Sequence, residues 1–115
     1  MKHQNLHEKA VEYIYTRNLQ ELSQLTRYMI ADFFNVNQNY LSKKFKKETG
    51  MTISKFLAFE KMRRAEQLLK TRFDLPVIKI SEMVGIVKPT QFRKKFQKIF
   101  FLKPGKYRRL FQGRR

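Results

Sequence analysis

Tyr40-Leu-Ser-Lys-Lys-Phe-Lys-Lys-Glu-Thr-Gly50 and Gln91-Phe-Arg-Lys-Lys-Phe-Gln-Lys-Ile-Phe-Phe101 are two versions of one segment. Displaced by 51 residues, Tyr40–Phe56 lies over Gln91–Tyr107, and Lys43, Lys44, Phe45, Lys47 and Lys55 fall on Lys94, Lys95, Phe96, Lys98 and Lys106. Leu41 pairs with Phe92, Met51 with Leu102 and Phe56 with Tyr107, apolar on apolar. Displaced by 50, Ile30–Val36 lies over Ile80–Ile86, which sets Asn35 on Gly85 and puts one extra residue into the second turn. Each copy reads as a short helix, a residue that tolerates positive φ, two to four residues, and a Lys-rich helix. That is the layout of a helix-turn-helix, in which the first helix braces a second whose outer face enters the major groove of DNA.

Periodicity extends this reading to the whole chain. Leu6, Ala10, Val11, Tyr13 and Ile14 predict a helix ending near Asn18, and Leu25–Phe34 a second. Asn37 is the expected N-cap of a third helix, which ends at Thr49-Gly50. Ile53–Lys70 predicts a long helix capped near Thr52 or Ser54, about 27 Å in length at 1.5 Å per residue. Val77–Val84, Lys88–Ile99 and Pro104–Phe111 complete about seven helices, an all-α fold without strands. The expected organisation is a first helix-turn-helix subdomain in 1–51, a linker helix in 52–71 and a second subdomain in 72–115. Tyr40, Leu41 and Phe45 are expected to face the first core, and Phe92 and Phe96 the second. Asn39, Ser42, Lys43 and Lys46 are then left outward in one copy, and Thr90, Gln91, Lys94 and Lys95 in the other. Asn and Gln can pair bidentately with adenine, and Lys with guanine O6 and N7. Either helix alone would be as well explained as a solvated face. Two copies at one spacing favour duplex DNA.

The charge agrees. The 115 residues hold 26 Lys and Arg against 9 Asp and Glu, a net charge of +17. Residues 1–42 carry four basic and four acidic side chains, so the whole excess lies in residues 43–115. An excess of that size opposes compaction unless a polyanion relieves it, and nucleic acid is the first choice.

Other chemistry finds little support. There is no Cys, hence neither a disulfide nor a thiolate zinc site. No apolar run approaches a membrane span, and MKHQNLHEK has no signal-peptide core, so a soluble, intracellular protein is expected. His3 and His7 share a helix face at i, i+4, but two ligands near a chain end do not make a metal site. Ser42 and Ser54 have no His in the basic half to serve as a base, and the four glycines form no phosphate-cradling loop. The phenylalanines are most simply core. No enzyme, cofactor or metal is expected. The alternative is a basic RNA-binding or ribosome-associated protein, which would present aromatics to splayed bases rather than keep them at core spacing. A membrane-surface helix is a third option, disfavoured because no helix confines its lysines to one face of a strongly amphipathic pattern.

Three pieces in order, namely Tyr40–Gly50, Ile80-Ser-Glu-Met-Val-Gly85 followed by Phe92 and Phe96, and Pro104 with Tyr107-Arg108, resemble the C-terminal DNA-binding domain of the AraC/XylS family of bacterial transcription regulators. The resemblance covers about residues 6–110. It implies two helix-turn-helix subdomains joined by the long helix, reading adjacent major-groove segments. The family's base-reading positions fall on Asn39, Ser42 and Lys43, and on Thr90, Gln91 and Lys94. Phosphate contacts fall on Lys46, Lys55, Arg63, Lys88, Lys95, Lys106 and Arg108. Double-stranded DNA is the implied partner, with RNA polymerase and an N-terminal sensor or dimerisation domain as further candidates, in the bacterial cytoplasm. The sequence departs from the family pattern with Asn35 and Phe101 at positions that are usually Gly, with Ile86 for a common Phe, and with an Arg72–Val77 link one residue longer.

Overall fold

The computed structural model describes residues 5–112, in which every regular element is a helix. In chain order these are α1 (Leu6–Thr16), α2 (Leu19–Gln24), α3 (Arg27–Phe33), α4 (Gln38–Thr49), α5 (Ile53–Thr71), α6 (Val77–Met83), α7 (Pro89–Phe100) and α8 (Pro104–Gln112). The all-α reading holds, with one helix more than periodicity indicated. The addition is α2. Asn18 Oδ1 accepts from the Glu21 amide at 2.8 Å, and Glu21 Oε1 accepts from the Asn18 amide at 3.1 Å. This reciprocal capping box starts a new helix where the first was expected to finish. Thr26 then caps α3 through the Met29 amide at 3.3 Å, so the helix expected from Leu25 begins at Arg27. Six residues burying one side chain, Leu22, are too few to show a period.

The chain divides into two compact units, the first ending at Glu60 and the second beginning at Lys61, so the division falls within α5. In the first, α1 and α3 pack on α4. Leu6, Ala10 and Ile14 of α1 join Ile30, Ala31, Leu41, Phe45, Ile53 and Leu57 in one buried cluster. Tyr40 does not face this core. It is 44% exposed, because Leu41 and Phe45 at i, i+4 occupy the buried stripe and Tyr40 lies one residue, about 100° of rotation, to its side.

In the second unit α7 packs against α6 and α8 around Met62, Ala65, Leu69, Ile80, Val84, Phe92 and Phe96. The rings of Phe96, Phe100, Tyr107 and Phe111 follow one another at centroid distances of 4.6 Å, 5.7 Å and 5.2 Å, geometry in the range where aromatic pairs attract. The Tyr107 hydroxyl donates to Glu66 Oε2, which Lys70 also approaches at 3.2 Å. Burial, then this hydrogen bond and the Glu66 charge, push the Tyr107 phenol up to about 12. The bond ties α8 to α5.

The two turns are built alike. Phe34 N–H donates to Ile30 O, Asn35 N–H to Asp32 O and Val36 N–H to Ala31 O, at 3.1 Å, 3.0 Å and 3.0 Å. Val84, Gly85 and Ile86 repeat the set onto Ile80, Glu82 and Ser81 at 3.1 Å, 2.9 Å and 2.9 Å. Asn35 and Gly85 take φ of 56° and 87°, the positive values that the repeat led one to expect. Buried Ser81 adds one bond that its counterpart Ala31 cannot make, from its Oγ to Ile86 O at 2.5 Å.

Candidate nucleic-acid interface

Each turn hands the chain to a helix with one buried stripe and one basic face. On α4, Leu41 and Phe45 are buried while Asn39, Lys43, Lys46 and Lys47 are exposed and Ser42 is half-buried. Its first turn is closed by Asn37, whose Oδ1 accepts from the Asn39 and Tyr40 amides at 2.8 Å and 3.2 Å. Lys44 lies toward the flank, 3.8 Å from Glu48. On α7, Phe92 and Phe96 are buried, leaving Thr90, Gln91, Arg93, Lys94, Lys95, Gln97 and Lys98 exposed. Here the N-cap residue Lys88 makes no side-chain cap, and Pro89 opens the helix.

Beside α4 lies an open groove of about 410 Å³, lined by Ser42, Lys43 and Lys46 together with Arg27, Lys47 and Ser54. It brings three of the residues singled out in the sequence into one place. Arg27 and Lys47 were not among those residues, although Lys47 is in the repeat itself. A second open pocket, of about 630 Å³, adjoins the other end of α7 and includes Arg93, Gln97, Phe101, Lys103, Lys106 and Arg109. Of these only Lys106 was singled out. No acidic residue follows Glu82 in the chain, which leaves the helices around that pocket with positive side chains only.

The remaining positions separate into two kinds. Lys55, Arg63, Lys88 and Lys95 are exposed. The Lys61 ammonium is pushed down by burial and then by the Lys95 charge. Arg108 is half-buried, and its Nη2 donates to Arg72 O at 3.0 Å. Burial lowers the Arg108 guanidinium, with the Asp74 charge acting the other way. Arg72 in turn grips Asp74 with two bonds of 2.9 Å, so Arg108 is built into the link between α5 and α6. His3 lies outside the described residues, and His7 sits on α1. The expectation that the phenylalanines are core fails at Phe33, Phe59 and Phe101, which are 61%, 43% and 82% exposed. Helical spacing marks Phe33 as apolar in register but not the limited width of the stripe that the neighbouring helices cover.

The pattern of the helix-turn-helix domain matches residues 30–110. That span holds both turns and both basic helices. The chain belongs to the AraC/XylS helix-turn-helix family. Among curated relatives, the HTH-type transcriptional regulator YpdC of Escherichia coli is 32% identical over 77% of this chain and 31% of its own length. The lactose operon transcription activator of Staphylococcus xylosus is 34% identical over 90% of this chain and 36% of its own. Among solved structures, the C-terminal domain of AraT, a response regulator from Geobacillus stearothermophilus, superposes with a TM-score of 0.79 at 33% identity, covering 91% of this chain and 84% of that one. The chain thus spans about a third of the length of such AraC/XylS-type regulators. Among the described residues, no helix is long and apolar enough to cross a membrane.

Proposed function

We propose that this AraC/XylS-type chain is the duplex-DNA-reading part of a bacterial transcription regulator, with α4 and α7 as its two reading helices. The observation that carries the reading is the repetition of one turn, bond for bond, ahead of two helices whose outer faces are polar and basic. Asn39, Ser42 and Lys43 would meet base edges in one half of the site, and Thr90, Gln91 and Lys94 in the other. Lys46, Lys55, Arg63, Lys88, Lys95 and Lys106 would meet phosphates. Arg108 would act by holding the α5–α6 link through Arg72 O. The two subdomains, joined by α5, would read adjacent segments of the major groove about one helical turn apart. The place of action would then be the bacterial cytoplasm, with RNA polymerase and a sensor or dimerisation domain as further partners. The chemistry is recognition, with neither catalysis nor a cofactor.

Selection from random duplexes, followed by titration of the chosen site, tests this. Affinity should fall by about three to five decades between 50 and 200 mM salt, as neutralising roughly six to ten phosphates implies. A flat salt response, or displacement of the duplex by an equal amount of single-stranded RNA, would overturn it and favour the RNA-binding alternative.

A further inference from the structure

Phe101 occupies the C-cap of α7 with φ of 68°, a conformation that costs glycine nothing and a bulky L-residue a good deal. Its counterpart in the other copy is Gly50, at φ of 79°, where an added Cβ would meet nothing within 4 Å. The fold therefore calls for glycine at this seat and gains little from the ring, which is 82% exposed. The surroundings say what it could serve. Thr90, Lys94 and Gln97 recur at four and three residues along the exposed face of α7, and Phe101 follows four further on. Eleven residues at 1.5 Å set it about 16 Å along the axis from Thr90, at the far end from the N-terminal turns that meet base edges in a helix-turn-helix. Arg93, Lys103, Lys106 and Arg109 line the pocket beside it, with no acidic residue among them.

We propose that Phe101 is a DNA-contacting residue, packing its ring on the deoxyribose of the backbone where α7 leaves the groove, between phosphates held by the neighbouring cations. The proposal rests on the duplex-DNA reading. The chain has no tryptophan, so Phe101→Trp provides a single indole at the site, excited selectively at wavelengths that its five tyrosines do not absorb. Fluorescence anisotropy of labelled duplex reports binding independently. With the selected duplex bound, the indole emission should be quenched and its accessibility to acrylamide should drop several-fold. Phe101→Ala should weaken the duplex about tenfold while leaving the salt slope unchanged, because the lost contact is uncharged. Bound duplex with unaltered emission and accessibility, or full affinity in Phe101→Ala, would overturn the contact and leave the DNA reading standing. Failure of the unsubstituted chain to bind any duplex would overturn both.

Discussion

The two copies of the turn-and-helix share a backbone and five side chains but differ at the turn, the cap and the helix end. The first places Asn at the turn and Gly at the end of α4, and the second has Gly85 at the turn and Phe101 at the end of α7. The first caps α4 with Asn37, and the second leaves α7 without a side-chain cap. Residues 1–60 carry 9 basic and 6 acidic side chains, whereas residues 61–115 carry 17 and 3. Hydrogen bonds between backbone groups thus fix the geometry of the motif. Left-handed seats, caps and surface charge are set locally and can drift apart between copies.

Exchanging a residue for its counterpart, or removing matched residues, tests how far that drift matters. Lys43→Ala and Lys94→Ala should show the largest effect, each costing about 1–3 kcal/mol on the selected duplex and relaxing preference in one half only. If Lys94→Ala leaves both halves intact, the second copy holds backbone and the comparison breaks at its main point. Tyr107→Phe turns a residue into its counterpart Phe56 and should cost about 1–2 kcal/mol of stability by removing a bond to a carboxylate. The phenol titrates higher folded than unfolded, so its stabilising share is complete below the ordinary tyrosine range and is lost as pH rises from about 10 toward about 12. Urea denaturation across that interval should show a shallower alkaline loss in Tyr107→Phe, and identical slopes would exclude the Glu66 bond as its source. Ser81→Ala, again the counterpart residue, should cost about 1 kcal/mol through the bond to Ile86 O. Phe101→Gly should be of similar size and opposite sign, near 1 kcal/mol of added stability. Asn35→Gly should gain only a few tenths, since Asn tolerates the left-handed region far better than Phe. A melting midpoint for Phe101→Gly at or below that of the parent would remove strain from the account of Phe101.

Most of the fold was legible in the sequence because Leu41, Phe45, Phe92 and Phe96 keep helical spacing and the repeat supplies every stripe twice. The α2 helix was not, although Asn18 and Glu21 carry the capping signature, because a signal of two residues is easily absorbed into a longer apparent helix. The candidate site was legible where a copy displayed it, as at Ser42, Lys43 and Lys46. It was not legible at Arg27 and Arg109, which come from α3 and α8 and meet the grooves only through folding, nor at Arg93, which lies on α7 itself one residue before Lys94 and was passed over. Tyr40 and Phe101 mark the same limit. Apolar character predicts burial on average, and only geometry tells which ring is left outside.

The uneven charge has a consequence in time. Electrostatic capture by any stretch of duplex scales with local cation excess, and 14 of the 17 net charges belong to residues 61–115. On the proposed duplex reading, the second unit would supply most of this capture, and the first, with an excess of three positive charges, would add less. Association rates with random duplex should then fall more with Lys106→Ala than with Lys43→Ala.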